Sequence, residues 1–226
     1  MRDIAIMVPS RGRPGNIRRL QENMFENCRV DTALHVYVDD NDPKLDEYRE
    51  LIGINLVVDT PSRIGPILNK HAVGLADNYF IVGFMGDDHV PRTPGWDQRF
   101  LEKLQEVNTG VAYGNDLLQG EALATAVCMT SDIVKTLGYF SLPGAQHLFL
   151  DNFWMAVGRG INRLFYFDDV VIEHVHPAKN KAEWDEVYTN ANSSETWAFD
   201  EAAYLKYMAE QYTPDIVKLK TRLGLS

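Results

Sequence analysis

The 226-residue sequence contains only two cysteines, Cys28 and Cys128, too few for a disulfide framework or a zinc ribbon. The expected setting is therefore a reducing one, the cytoplasm. Basic residues are outnumbered, 22 Lys+Arg against 32 Asp+Glu for a formal charge of -10. Nucleic-acid binding rests on Lys and Arg neutralising phosphates, so this balance argues against a nucleic-acid partner. It leaves room for a small anion held locally by a metal. No run approaches the roughly 18 apolar residues of a membrane span. The opening reaches a strand-like run, Ile4 to Val8, without the basic region and cleavage site of a signal peptide. Internal repeats, low-complexity tracts and linkers are also missing.

What remains is a chain with 45% hydrophobic residues, enough for one α/β core. Short apolar runs alternate with helical patterns, the signature of βαβ units. Strands are expected at Ile4–Val8, Leu34–Val38, Asn55–Val58, Tyr79–Met85, Gly110–Tyr113 and Thr125–Met129, with two late strands at Leu164–Phe167 and Val170–His174. Helices are expected after Pro14 and at Leu45–Ile52, Ile64–Leu75, Trp96–Glu106, Asp132–Leu137 and from Asp151. The tail from Glu195 to Leu223 reads as two helices broken near Pro214, with Trp197, Ala198, Tyr204, Leu205 and Met208 as its apolar stripe. The division expected is a domain over 1–192 with a C-terminal helical extension over 193–226 packed on it.

In a parallel α/β sheet, ligands bind in the crevice beyond the carboxyl ends of the strands. Four such ends are strongly polar: Pro9-Ser10-Arg11-Gly12-Arg13, Asp39-Asp40-Asn41-Asp42, Pro61-Ser62-Arg63 and Gly86-Asp87-Asp88-His89. Each alone reads equally well as an ordinary turn; four in phase point to a site. Adjacent carboxylates such as Asp87 and Asp88 repel unless a cation or donors compensate, and hard oxygen ligands suit Mn2+ or Mg2+. His174 and His176 lie on one face of a late strand, so either or both are candidates to complete the coordination of a metal held by Asp88. Asp151 precedes an apolar helix, where it reads as a helix-start residue or as a general base.

The motifs Val8-Pro9-Ser10-Arg11-Gly12-Arg13-Pro14, Val36-Tyr37-Val38-Asp39-Asp40, Gly65 to Asn69, Phe84 to Pro91, Thr93-Pro94-Gly95-Trp96-Asp97, Asp151-Asn152 and His174-Val175-His176, in this order, resemble the GT-A glycosyltransferases. The likeness is to the large family 2 and related bacteriophage-encoded transferases, and it covers roughly residues 4 to 177. It implies a GT-A, Rossmann-like fold with a mostly parallel central sheet flanked by helices. By the same resemblance Pro9, Ser10, Arg11 and Asp39 would hold the nucleotide, with Arg63 and the Asn69-Lys70 pair near the ribose or phosphates. Asp88 would hold the metal with His174 or His176, Asp87 would face the ribose, and Asp151 would be the base. The chain departs from the pattern at Gly86, which stands where the first metal-motif acid belongs, and at Leu150-Asp151-Asn152, where the family usually has Glu-Asp.

The activity implied is transfer of a sugar, with inversion, from a nucleotide-diphosphate donor, UDP-sugar first, to a hydroxyl of a protein or glycan acceptor. If phage-encoded, the chain would act in the host cytoplasm; the aromatic tail leaves oligomers open. Two other readings share these residues, a nucleotidyltransferase making nucleotide sugars and a non-catalytic binding protein of the same fold. The segment Ala178–Asn192 reads as either a lid or a plain loop.

Overall fold

The computed structural model describes residues 1–175 and 193–225. The first half of the chain alternates β1 (Arg2–Ser10), α1 (Pro14–Asn27), β2 (Thr32–Asp39), α2 (Leu45–Arg49), β3 (Asn55–Asp59), α3 (Ile64–Ala76) and β4 (Tyr79–Phe84). Then come β5 (His89–Pro91), α4 (Trp96–Val107), β6 (Val111–Asn115), a 3-10 turn at Gly120–Ala122, β7 (Val127–Thr130), α5 (Ser131–Leu137), α6 (Leu150–Gly160) and β8 (Leu164–His174). Two helices follow, α7 (Ser194–Glu210) and α8 (Tyr212–Leu223). Among the described residues no helix is long and apolar enough to cross a membrane.

The eight strands form one mixed sheet in the order β3-β2-β1-β4-β7-β6-β8-β5. β1 pairs in parallel with β2 and β4, β2 with β3, and β6 with β8, while β7 runs antiparallel to β4 and β6. β1 is buried without interruption from Ile4 to Val8, as expected of a strand covered on both faces. Ile4, Ile6 and Val8 point to the side of Ile17, Leu20, Trp96 and Phe100. Met7 points to the side of Leu68, Ala72 and Ile133. The parallel order places the ends of β1 and β4 next to each other, with β2 on the far side of β1, and that shared edge is where the polar loops gather.

Three expectations are corrected. The late strands are one, β8, carrying an irregularity where Gly114 and Asn115 pair with Phe167 and Val171. The three-residue β5 was not foreseen; it pairs antiparallel with the end of β8, setting His89 opposite His174. In the tail the helices break at Gln211 and Pro214 lies inside α8. The inward face of α7 carries Thr196, Asp200 and Tyr207, whereas Trp197, Ala198 and Leu205 from the expected stripe are exposed. α8 packs against α5 and α6.

Cys28 and Cys128 are both free. Burial pushes the two thiols well above their ordinary range, and the neighbouring Asp97 charge adds to it.

Candidate active site

A cavity of about 340 Å3 opens at the carboxyl ends of β1 and β4. Pro9, Ser10 and Arg11 from the β1 loop line it, together with Arg63, Asp87, Asp88, Asp151 and His174. His176 lies outside the described residues, as does the Ala178–Asn192 segment. The cavity thus gathers expected residues from five separate stretches of chain.

The β1 loop is braced from below. Tyr48 of α2 is fully buried; its hydroxyl accepts the Arg13 N–H at 2.8 Å and bonds Ser10 Oγ at 2.8 Å. Asp42 Oδ2 accepts the Gly12 N–H at 2.7 Å, at a residue whose φ of +69° glycine adopts without steric cost. Arg11 crosses to Asp39 Oδ2 at 2.5 Å and Asn41 Oδ1 at 2.8 Å. Asp39 itself is not a wall of the cavity; its carboxylate holds Arg11 and accepts the Ser62 N–H at 3.2 Å. Arg63, at the start of α3, makes no ion pair with any described residue.

Asp87 and Asp88 are both buried and serve different partners. Asp87 accepts from Ser10 Oγ at 2.7 Å and pairs with Arg13 Nη1 at 3.2 Å. Burial pushes its carboxyl up to about 6, helped by repulsion from Asp88 and opposed by Arg13 and Ser10. Asp88 lies 3.2 Å from His174 Nε2 and 3.4 Å from His89 Nδ1. Burial works against its charge, but the hydrogen bond and charge of His174 win and hold it well below the usual carboxylate range. His174 responds in kind: burial pulls its imidazole down, and the Asp88 contact outweighs that and raises it.

Asp88, His89 and His174 offer ligand atoms within 4.8 Å of one another. The strand pairing explains why: Val175 N–H donates to Asp88 O at 2.9 Å and His174 N–H to Asp116 O at 3.0 Å, locking the end of β8 onto the loop. His89 was missed by sequence reasoning. Its Nδ1 lone pair accepts the Gly86 N–H at 2.9 Å, and its ring stacks on His174 at 4.4 Å. With the His89 Nδ1 engaged by a backbone N–H, Asp88 and His174 are the groups of this cluster best suited to meet a cation, and His89 is their wall.

Gly86 accounts for the departure from the usual acidic pair. A Cβ on it would stand 2.5 Å from Asp88 Oδ1 and 2.9 Å from His89 Nδ1, so an acid at this position would take the space those groups occupy. A compact carboxylate and imidazole in a space cleared of side chain fit a divalent cation.

Asp151 lies in the first turn of α6, and its Oδ1 accepts the Asn152 N–H at 3.2 Å. Burial pushes its carboxyl up to about 6, and the two backbone hydrogen bonds only partly offset this. His147, Leu148 and Trp154 share its side of the cavity. These three were not picked out from the sequence, where they read as loop and core.

Asn69, expected near the ribose or phosphates, is elsewhere. Its Oδ1 accepts the N–H groups of Phe140 and Ser141, both at 2.8 Å, and its Nδ2 donates to Ser141 O at 3.1 Å. It fastens α3 to the 140–141 loop. The neighbouring Lys70 is paired with Asp59 at 2.6 Å.

No protein-family model matches the chain, and no curated protein does. Solved structures do. The chain matches S. aureus TarS at 14% identity and a TM-score of 0.56, with 85% of this chain and 44% of that one covered. It thus spans less than half the length of that protein. It matches the mannosyltransferase PcManGT from Pyrobaculum calidifontis, in complex with GDP-Man and Mn2+, at 14% identity and 0.56, covering 99% and 82%. Glucosyl-3-phosphoglycerate synthase from Mycobacterium tuberculosis, in complex with Mn2+, UDP-glucose and phosphoglyceric acid, matches at 13% identity and 0.56, covering 100% and 81%. With an α/β sheet of this order and a polar cavity at its carboxyl edge, the chain shares the GT-A fold of these nucleotide-diphospho-sugar transferases.

Proposed function

We propose that the protein is a metal-dependent glycosyltransferase that moves a sugar, with inversion, from a nucleotide-diphosphate donor to an acceptor hydroxyl on a protein or glycan. The observation that carries this reading is the cavity itself, where an Asp88–His174 pair faces the same space as Asp151, a half-buried carboxyl pushed up to about 6.

Asp88 and His174 would hold Mn2+ or Mg2+, which when bound supplies Lewis-acid charge to the departing diphosphate. Pro9, Ser10 and Arg11, with Asp39 holding Arg11 in place, receive the base and ribose. Asp87 keeps Ser10 and Arg13 fixed beside them. Arg63, with its guanidinium free of ion pairs among the described residues, takes a phosphate, for which its planar fork is suited. His176 remains a candidate second imidazole by the resemblance.

The acceptor oxygen attacks the anomeric carbon as the bond from that carbon to the diphosphate oxygen breaks; the hydroxyl proton passes to the Asp151 carboxylate. A base with a pKa near 6 is ionised at neutral pH yet stronger than an ordinary carboxylate, and such general-base help is worth roughly 10²–10⁴-fold. UDP is the first donor to test, since TarS has been solved in complex with UDP-GlcNAc and the M. tuberculosis synthase with UDP-glucose, with GDP second from the mannosyltransferase.

The test is thermal shift and calorimetry of the chain with UDP, GDP, CMP and TDP, with and without Mn2+. The expected result is stabilisation by one diphosphate that EDTA abolishes. Absence of nucleotide binding under every metal condition would overturn the reading.

A further inference from the structure

The turn from Gln146 to Phe149 delivers His147 and Leu148 to the cavity and leads into the Asp151 helix, and it is held from outside the sheet domain. Asp200 of α7 is fully buried, and its carboxylate accepts three consecutive backbone N–H groups. Oδ1 takes that of Gln146 at 2.7 Å; Oδ2 takes those of His147 at 2.9 Å and Leu148 at 2.7 Å. The next residue, Phe149, has φ +61°, a left-handed conformation uncommon for a bulky side chain. Its ring is gripped by Trp197 at 5.1 Å and Tyr204 at 5.5 Å. Trp197, Asp200 and Tyr204 are spaced i, i+3, i+7, so one face of α7 supplies all three contacts.

From the other side the same turn rests on α3. Gly65 N–H donates to Gln146 O at 2.9 Å, and a Cβ on Gly65 would stand 2.3 Å from Ala145 O. A turn clamped on both sides by charge-assisted and backbone hydrogen bonds is more firmly placed than a surface loop needs to be. What it carries explains the need. His147 lines the cavity, and its ring makes no hydrogen bond to another described residue; burial lowers its basicity and keeps it neutral, so it can both donate to and accept from a sugar hydroxyl.

We propose that Asp200 is a positioning residue for sugar transfer, fixing through the 146–148 amides both the His147 imidazole that meets a substrate hydroxyl and the start of the helix that carries Asp151. The inference rests on the transferase reading above. It makes α7 part of the active site, acting through the turn that carries His147 and leads to Asp151 and leaving the arginine-lined β1 loop untouched.

The experiment compares wild type, Asp200→Asn, Asp200→Ala, Gly65→Ala and, as a surface control on the same helix, Glu201→Ala. Affinity for UDP and GDP with Mn2+ is measured by calorimetry, and turnover as diphosphate released from UDP-glucose, UDP-GlcNAc and GDP-mannose with water as acceptor. Displacement of reacting groups by about an ångström costs on the order of 10²-fold. Asp200→Ala is expected to lose about that much in kcat, with diphosphate affinity within about twofold of wild type. Asp200→Asn, which keeps one accepting oxygen, should fall between the two. Gly65→Ala disturbs the same turn without touching α7 and should reproduce the loss, which covers the case of Asp200 variants that fail to fold. Glu201→Ala should match wild type. Cooperatively folded Asp200 and Gly65 variants with lower melting temperature but unchanged kcat would overturn the inference alone. A wild type that binds neither diphosphate would overturn the transferase reading, and this inference with it.

Discussion

Replacing Asp151 with asparagine should make the protein slower and more stable at once. The carboxyl is raised from its ordinary 3.8 to about 6 by burial, a difference of about two pH units. At about 1.4 kcal/mol per unit, holding the ionised form in the fold at pH 7 costs up to about 3 kcal/mol. The sign follows from linkage. A carboxyl with a raised folded-state pKa contributes stability that is fully present below the unfolded value and lost as pH rises through the folded one. Wild-type stability from this group therefore declines between about 4 and about 6, and Asp151→Asn, with nothing to ionise, escapes the decline. The two proteins should unfold alike at the acid end of this window and diverge through it. Above it the variant should lead by about 2–3 kcal/mol, or several degrees in melting temperature for a chain of this size. Over the same range wild-type turnover should rise with pH along a limb near 6, while the variant is slower by roughly 10²–10⁴-fold and lacks that limb. Denaturant unfolding and initial rates across the pH series measure both. A variant that is less stable at neutral pH would refute the burial argument; one that turns over normally would refute the base.

Asp88→Asn should retain the fold but lose Mn2+-dependent stabilisation by UDP or GDP, read by thermal shift with and without EDTA. Gly86→Ala should do the same without touching a ligand, because its Cβ would stand 2.5 Å from Asp88 Oδ1; metal affinity measured by calorimetry should fall while the far-UV spectrum is kept. Asn69→Ala should leave diphosphate affinity unchanged and cost about 2–3 kcal/mol of stability, since it strips partners from backbone groups of the 140–141 loop. A large loss of nucleotide binding in that variant would return Asn69 to the donor site.

The ends of β1 and β4 were legible because a strand buried on both faces announces itself as an apolar run, and its polar exit then stands out. Asn69 shows the limit of that logic. A polar residue one turn into a helix reads the same whether it faces a ligand or a neighbouring loop, and only the fold brings Ser141 beside it. His89 was hidden for a different reason. It sits on a strand of three residues whose partner is 85 positions away, a pairing no local period encodes. Asp200 looked like one more acid on a surface helix, because the amides it satisfies belong to a turn far back in the chain.

The two thiols have a practical side. Cys128 is buried and Cys28 half-buried, and with both thiols held protonated by the fold, neither readily offers a thiolate to an electrophile at neutral pH. The protein is in effect a blank slate for maleimide chemistry, so a dye attached through a cysteine newly placed on the rim of the cavity would report from that one spot, with no native residue having to be removed first.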